Sequence, residues 1–269
     1  MLAVARRSKI KEVLQEKKSV TVSDMAHLFD VTEETIRRDL KELEGNGFLT
    51  RTHGGAFIQD GVQNDVQFSL RESVYIDSKI AIAKQCAQFI EHGDSIFLDP
   101  STTALAICDQ IKDKRLTVLT NSIKAANILK DMLSIKLIMV GGYFDASSMS
   151  FLGRSAVDFV KNYYVDKAFV SCRSLSLENG ITDSSEVISS LRSVVIDRSE
   201  KVYLIADYSK FDRSSFVKIC DYKDIDYIVT DKPLDSRWHE EMKKHNVHIF
   251  DSSASGMAHD PYLLDDQDG

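Results

Sequence analysis

Apolar positions along the first sixty residues recur with two different periods, and the change from one to the other marks out a small module. Ile10, Val13 and Leu14 share one face of a first helix, and Met25, Leu28 and Phe29 share one face of a second, which Ser23 is expected to cap. Ile36, Leu40 and Leu43 fall at i, i+4 and i+7 of a third, running from 32 to about 44. A tight turn at Asp30-Val31 separates the second from the third, and the Thr32 hydroxyl is placed to accept from the N–H groups that open the third. After Gly47 the period falls to two. Phe48-Leu49-Thr50-Arg51-Thr52 and Ala56-Phe57-Ile58 read as strands joined through His53-Gly54-Gly55, where glycine supplies the positive φ of a tight turn. Three helices and a hairpin over residues 1–58 form the order of a winged helix-turn-helix, whose third helix enters the major groove of DNA while the hairpin probes the adjacent backbone.

A polar stretch over 59–74, with Gln59, Asp60, Gly61, Gln63, Asn64 and Asp65, reads as a linker. From 75 to 250 the pattern changes again. A helix over about 77–91 places Ile80, Ala83, Ala87 and Ile90 on one face, and apolar strands at 95–98, 116–119, 136–140, 167–171, 201–206, 227–230 and 247–250 alternate with helices. Alternation of this kind predicts an α/β domain with a mainly parallel sheet covered by helices. Residues 251–269 combine small residues with acids and are expected to be a disordered acidic tail.

The formal net charge of -7 argues against indiscriminate binding to nucleic acid, but it is unevenly spread. Ten cations against nine acids give residues 1–58 a balance of +1 and leave -8 for the remainder, so DNA affinity has to come from where the charges stand. The candidate DNA contacts are Thr32, Glu33, Glu34, Thr35, Arg37, Arg38 and Lys41 on the third helix, with Arg51 and His53 on the hairpin. Arg38 and Lys41 lie opposite the apolar stripe. Arg37 is suited either to DNA or to a neighbouring helix. Glu33 and Glu34 suit the positive end of the helix dipole but oppose a polyanion unless they accept from a cytosine amine or turn aside.

No apolar run approaches the roughly 20 residues needed to span a bilayer, and the N-terminus lacks the apolar core of a signal peptide, so a cytoplasmic protein without membrane partners is expected. Cys86, Cys108, Cys172 and Cys220 have no metal-ligand spacing and read as reduced, buried thiols, and the seven histidines form no metal cluster. No cofactor is expected.

Ligands of parallel sheets gather at the C-terminal ends of the strands. Four such ends carry polar groups here. Asp99, followed by Ser101, Thr102 and Thr103, leads directly into a helix whose free N–H groups suit a phosphate, while Asp99 suits a sugar hydroxyl. Asn121 and Ser122 follow the next strand, Gly141 and Gly142 allow close approach of a ligand to the backbone, and Lys210 closes a fourth strand end. Each is weak alone, since hydroxyls cap helices and paired glycines make turns, but together they favour a phosphosugar pocket. Arg173, near a further strand end, suits either a bidentate phosphate contact or an ion pair with Glu178, Asp183 or Glu186.

The module resembles the N-terminal signature of the DeoR family of bacterial transcription regulators through Val31, Thr35-Ile36-Arg37-Arg38-Asp39-Leu40, Leu43-Glu44, Gly47 and Arg51-Thr52-His53-Gly54-Gly55-Ala56. Residues from Arg71 to about Asp231 resemble that family's sensor domain, which is related in fold to ribose-5-phosphate isomerase. The matching pieces are Arg71, Lys79 with Ile82-Ala83, Asp99 with Thr102-Thr103, Thr120-Asn121-Ser122, Gly141-Gly142, Gly153, Gly180-Ile181-Thr182, Asp207 with Ser209-Lys210-Phe211, and Thr230-Asp231. The resemblance implies a repressor of carbohydrate catabolism genes that binds operator DNA at inverted half-sites as a homodimer or tetramer. It also implies control by a phosphorylated sugar held by the 99–103 loop, Asn121 and Lys210. Two departures bear on ligand choice: Ser101 stands where the family has glycine, and Ser171-Cys172-Arg173-Ser174-Leu175 replaces a glycine-containing segment. The alternative is a sugar-phosphate isomerase-like enzyme, with Asp99, Asp183, Asp207 and Lys210 as its acid–base groups, although the acid-rich catalytic loop of such isomerases is missing after Phe169.

Overall fold

The computed structural model describes residues 2–17, 19–45, 48–52, 54–58 and 68–251. Its first part comprises α1 (Ala3–Lys17), β1 (Ser19–Thr21), α2 (Val22–Phe29), α3 (Glu33–Gly45), β2 (Thr50–Arg51) and β3 (Gly55–Phe57). Thr21, and not Ser23, caps α2: its hydroxyl accepts from Asp24 N at 3.0 Å. The earlier start turns the helix face. Val22, Met25, Ala26 and Phe29 form the inward stripe at i, i+3, i+4 and i+7, and Leu28, expected inside, is 58% exposed. Asp30 then adopts a left-handed φ of 50°, which makes the tight turn into α3. β1 is too short to show a period in sequence, yet it completes a three-stranded antiparallel sheet in the order β1-β3-β2. A buried ion pair, Arg6 Nε to Asp39 Oδ2 at 2.5 Å, ties α1 to α3.

The second part opens with α4 (Phe68–Ser73), inside the stretch read as linker, and α5 (Ile76–Gln88). There follow β4 (Ser95–Leu98), α6 (Thr102–Gln110), β5 (Leu116–Thr120), α7 (Ile123–Leu129), β6 (Ile135–Met139), the hairpin of β7 (Tyr143–Asp145) and β8 (Ser150–Leu152), and α8 (Arg154–Val160). The chain continues through β9 (Val165–Val170), β10 (Ser174–Ser176), β11 (Gly180–Asp183), α9 (Glu186–Asp197), β12 (Ser199–Ile205), β13 (Val217–Cys220), β14 (Tyr227–Val229), α10 (Ser236–Lys244) and β15 (His248–Phe250). All seven strands expected from the apolar runs enter one sheet, in the order β15-β14-β12-β9-β4-β5-β6, and every pairing in it is parallel. The small sheet β10-β11-β13 and the β7–β8 hairpin were not expected.

Alternate residues along the central strands enter opposite cores. Phe97, Ala168, Leu204 and Ile228 meet α8, α9 and α10, whereas Leu98, Phe169, Tyr203 and Val229 meet α5, α6 and α7. Helices therefore cover both faces, as a parallel sheet requires. The sheet begins near its middle. From β4 the chain moves outward to β5 and β6, then returns to lay β9 on the other side of β4 and continues to β12, β14 and β15. The β4/β9 boundary is a topological switch point, where the outgoing loops diverge and leave a crevice. The tail from 252 onward lies outside the described residues.

Candidate functional site

At that switch point lies a cavity of about 430 Å³. The loop after β4 supplies Pro100, Ser101, Thr102 and Thr103, the end of β9 supplies Ser171, Cys172 and Arg173, and the loop after β12 supplies Asp207, Ser209 and Lys210. Ser101 caps α6, its Oγ accepting from Ala104 N at 3.0 Å, so the hydroxyl that replaces glycine stands at the opening of a helix with its proton left to donate.

Asp99 does not line this cavity. Its Oδ1 accepts from Ser101 N at 2.9 Å, and its Oδ2 accepts from Ser171 N at 2.9 Å and from the buried Arg192 guanidinium at 2.7 Å. Arg192 also donates to Asp183. Asp99 thus holds the β4 and β9 loops and α9 together, where the sequence suggested a sugar-hydroxyl acceptor.

Lys210 Nζ donates to Cys172 O at 2.7 Å and to Ser171 Oγ at 3.1 Å. Lys79, buried on α5, donates to Val74 O at 2.6 Å and to Arg71 O. Among the described residues neither ammonium has a carboxylate within the 4.0 Å of an ion pair. Burial, reinforced by the nearby Lys210 charge, lowers the Lys79 pKa to about 8. Two neighbouring cations without paired carboxylates are costly to remove from water, and an entering anion relieves that cost. The cysteines titrate the other way: burial pushes the Cys108 and Cys172 thiols up to about 12, which suits inert, reduced side chains.

Asn121, Ser122, Gly141 and Gly142 stay outside the cavity. Asn121 Nδ2 donates to Phe151 O at 3.1 Å, and Ser122 caps α7 through Ala125 N at 3.2 Å. Gly142, at a φ of +154°, lies so close to Leu152 that a Cβ would stand 2.3 Å from its carbonyl oxygen. These residues follow β5 and β6, on the far side of β4 from β9 and β12, so sheet order separates them from the site. The sequence reading in turn left Lys79, Arg192 and Arg213 out of the site. Lys79 had a legible signal, since it stands with Ile82, Ala83 and Cys86 at i, i+3, i+4 and i+7, a lysine in an apolar stripe. The face expected for that helix was one residue off, and Ile80 is 39% exposed.

On the first part of the chain, Thr32 Oγ accepts from Thr35 N at 3.3 Å at the start of α3. Arg38 and Lys41 are exposed and make no ion pair among the described residues. Arg37 pairs with Glu33 at 2.6 Å and with Glu34 at 3.8 Å, which draws both acids aside along their own helix. Arg51 Nε pairs with Glu44 Oε2 at 2.8 Å, fastening the wing to α3. His53 lies outside the described residues. No helix among the described residues is long and apolar enough to cross a membrane, and no three His, Cys, Asp or Glu side chains there are grouped to hold a metal ion.

Comparison with known proteins agrees with this division. A family described as the DeoR-like helix-turn-helix domain matches residues 6–61, and the DeoR C terminal sensor domain matches residues 75–232. The uncharacterized HTH-type transcriptional regulator YulB of Bacillus subtilis is 40% identical over 87% of this chain and 91% of its own length. The transcriptional repressor AccR of Agrobacterium fabrum is 34% identical over 84% of this chain and 88% of its own. The L-fucose operon activator of Haemophilus influenzae is 29% identical over 84% and 91%. A ribose 5-phosphate isomerase from Methanocaldococcus jannaschii overlays 51% of this chain and 54% of its own at 16% identity and a TM-score of 0.37, a likeness too low to bear on function. With both of its parts matched and relatives aligned along nearly their whole length, the chain belongs to the DeoR family of DNA-binding transcriptional regulators.

Proposed function

We propose that this regulator represses genes of carbohydrate use and that a phosphorylated sugar in the switch-point cavity sets its operator affinity. The observation that carries the ligand class is the pair of cavity cations, Lys79 and Lys210, without ion-paired carboxylates and beside the Ser101–Thr103 hydroxyls at the start of α6. Thr102, Thr103 and Arg173 complete the phosphate and hydroxyl contacts. An isomerase reading is disfavoured because two of its candidate acids, Asp99 and Asp183, are bound to the buried Arg192. Repression follows relatives such as AccR, and the carbohydrate assignment draws on the operon named for the Haemophilus relative.

On DNA, Thr35, Arg38 and Lys41 meet the major groove and its phosphates, with the Arg51 wing alongside. Two copies in a cytoplasmic homodimer read inverted half-sites about 34 Å apart or at multiples of that spacing. Effector and operator then oppose one another by the same coupling factor in both directions. A thermal-shift screen of the full chain against sugar phosphates, with the matching free sugars as controls, tests the ligand class. One phosphate at about 100 times its dissociation constant should stabilise the chain by roughly 2.7 kcal/mol while its free sugar does not. A uniform absence of shifts would remove the phosphosugar.

A further inference from the structure

One wall of the cavity belongs to the DNA-binding part of the chain. Phe57, the last residue of β3, lines it. The same residue pairs through its backbone with Ser19 of β1 and Thr50 of β2, at the centre of the wing sheet. Its side chain is buried and packs against Val74, just beyond α4.

The joint next to Phe57 is gripped by one cavity lysine and touched by the turn that carries the other. Lys79 holds the Arg71 and Val74 carbonyls, which fixes the end of α4 and leaves one of its three ammonium protons for a ligand. Tyr75 follows at a φ of 51°, a conformation that a non-glycine residue keeps only where its surroundings impose it. Its ring meets Tyr208 edge-on at 5.5 Å, and Tyr208 belongs to the Tyr208–Lys210 turn that carries the second lysine. Lys79 is therefore bonded directly to the segment between α4 and Tyr75, and the turn carrying Lys210 touches it through Tyr208.

We infer that the effector site is a composite of the two domains. Lys79 and Lys210 hold the phosphate, and Phe57 of the wing closes over the carbon skeleton of the sugar, so that filling the pocket fastens β3 to the sensor domain. Resting on the phosphate reading of the cavity, this assigns Phe57 and Lys79 to ligand binding and makes wing placement part of the binding event. A wing held in this way is withdrawn from the DNA backbone it would otherwise follow, and the ligand need not act at a distance.

Amide hydrogen exchange of the full chain with two probes, inorganic phosphate and glucose 6-phosphate, tests the assignment. Phosphate, which has no carbon skeleton, is expected to slow exchange at 101–104, 171–174 and 207–211 only. Glucose 6-phosphate is expected to slow those segments and also 55–57. Slowing at the pocket segments with 55–57 unchanged or faster under glucose 6-phosphate would overturn the composite site while leaving the phosphate pocket standing. No slowing at the pocket segments with either probe would remove the phosphate reading and this inference with it. Phe57→Leu, which keeps apolar bulk in the wing, should weaken glucose 6-phosphate binding several-fold and leave inorganic phosphate binding unchanged. Equal losses for both probes would show a general disturbance of the fold and count against the aromatic wall.

Discussion

Arg192 and Asp99 meet through two hydrogen bonds onto a single oxygen, with Nε and Nη2 of the guanidinium reaching Asp99 Oδ2 at 3.0 and 2.7 Å. Burial opposes the charge on Arg192, but Asp99 and Asp183 outweigh it and hold the guanidinium pKa above its ordinary value. The cluster joins the ends of β4 and β9 to α9 and so sets the shape of the crevice.

Arg192→Met leaves the Asp99 and Asp183 carboxylates buried without their cation. Breaking a buried pair from one side costs about 3–5 kcal/mol, and urea unfolding of the full chain should show a loss of that order in the sensor transition. A loss below about 1 kcal/mol would mean that water reaches both carboxylates.

Arg38→Ala should weaken operator binding and lower the slope of log affinity against log salt by about 1, the signature of one lost phosphate contact. Lys210→Ala should leave that slope unchanged and abolish stabilisation by the sugar phosphate. Identical salt titrations for wild type and the Arg38 variant would take Arg38 off the DNA.

Glu33 and Glu34 hold the Arg37 guanidinium along α3. Replacing both with Gln should raise affinity for non-specific duplex and steepen its salt dependence, as Arg37 becomes available to phosphate. Fluorescence anisotropy with an arbitrary duplex measures this, and unchanged affinity would show that Arg37 stays turned away from DNA.

The fold was legible to the extent that it is periodic. Apolar runs located all seven strands of the main sheet, and the α3 stripe together with Thr32 located the reading helix within a residue or two. β1, three residues with a single apolar side chain at Val20, carries no period and passed unseen. The cavity was half legible. Polar residues at strand ends do mark the crevice, but which strands are neighbours is a property of the sheet order, and placing β9 beside β4 excluded Asn121 and Gly142 while bringing Lys210 in. Lys79 was missed for a different reason: the inward face of its helix was read through Ile80, Ala83, Ala87 and Ile90, whereas Lys79, Ile82, Ala83 and Cys86 are the buried positions.

Effector affinity should depend on pH through Lys79. An anion favours the charged ammonium and raises its pKa above the value of about 8 in the free chain, so affinity falls as pH rises through about 8 and levels off beneath it. Below pH of about 6 the ligand's own second phosphate ionisation adds a separate decline. The effect on stability has the opposite sign. The unfolded chain keeps the Lys79 proton up to about 10.5, so the penalty for burying the charge is fully present below about 8 and is relieved as pH climbs toward 10.5. Calorimetric titrations between pH of about 6.5 and 9.5 should lose their alkaline limb in Lys79→Met, and persistence of that limb would assign it to another group.

Phe68, on α4, is 3% exposed and packs in the core shared with α5, α6 and α7, although it precedes the stretch matched as sensor. Trp238, Met242 and Val247 fill the opposite core from beyond the other edge of that stretch. A fragment trimmed to residues 75–232 would therefore carry a hole on each side of its sheet and present apolar surface to water, the condition for aggregation. The smallest piece able to stand by itself begins before Phe68 and reaches Asp251. The short helix α4 then moves as part of the sensor, and Val74 just beyond its end brings the side chain of Phe57 against a surface that belongs to that domain.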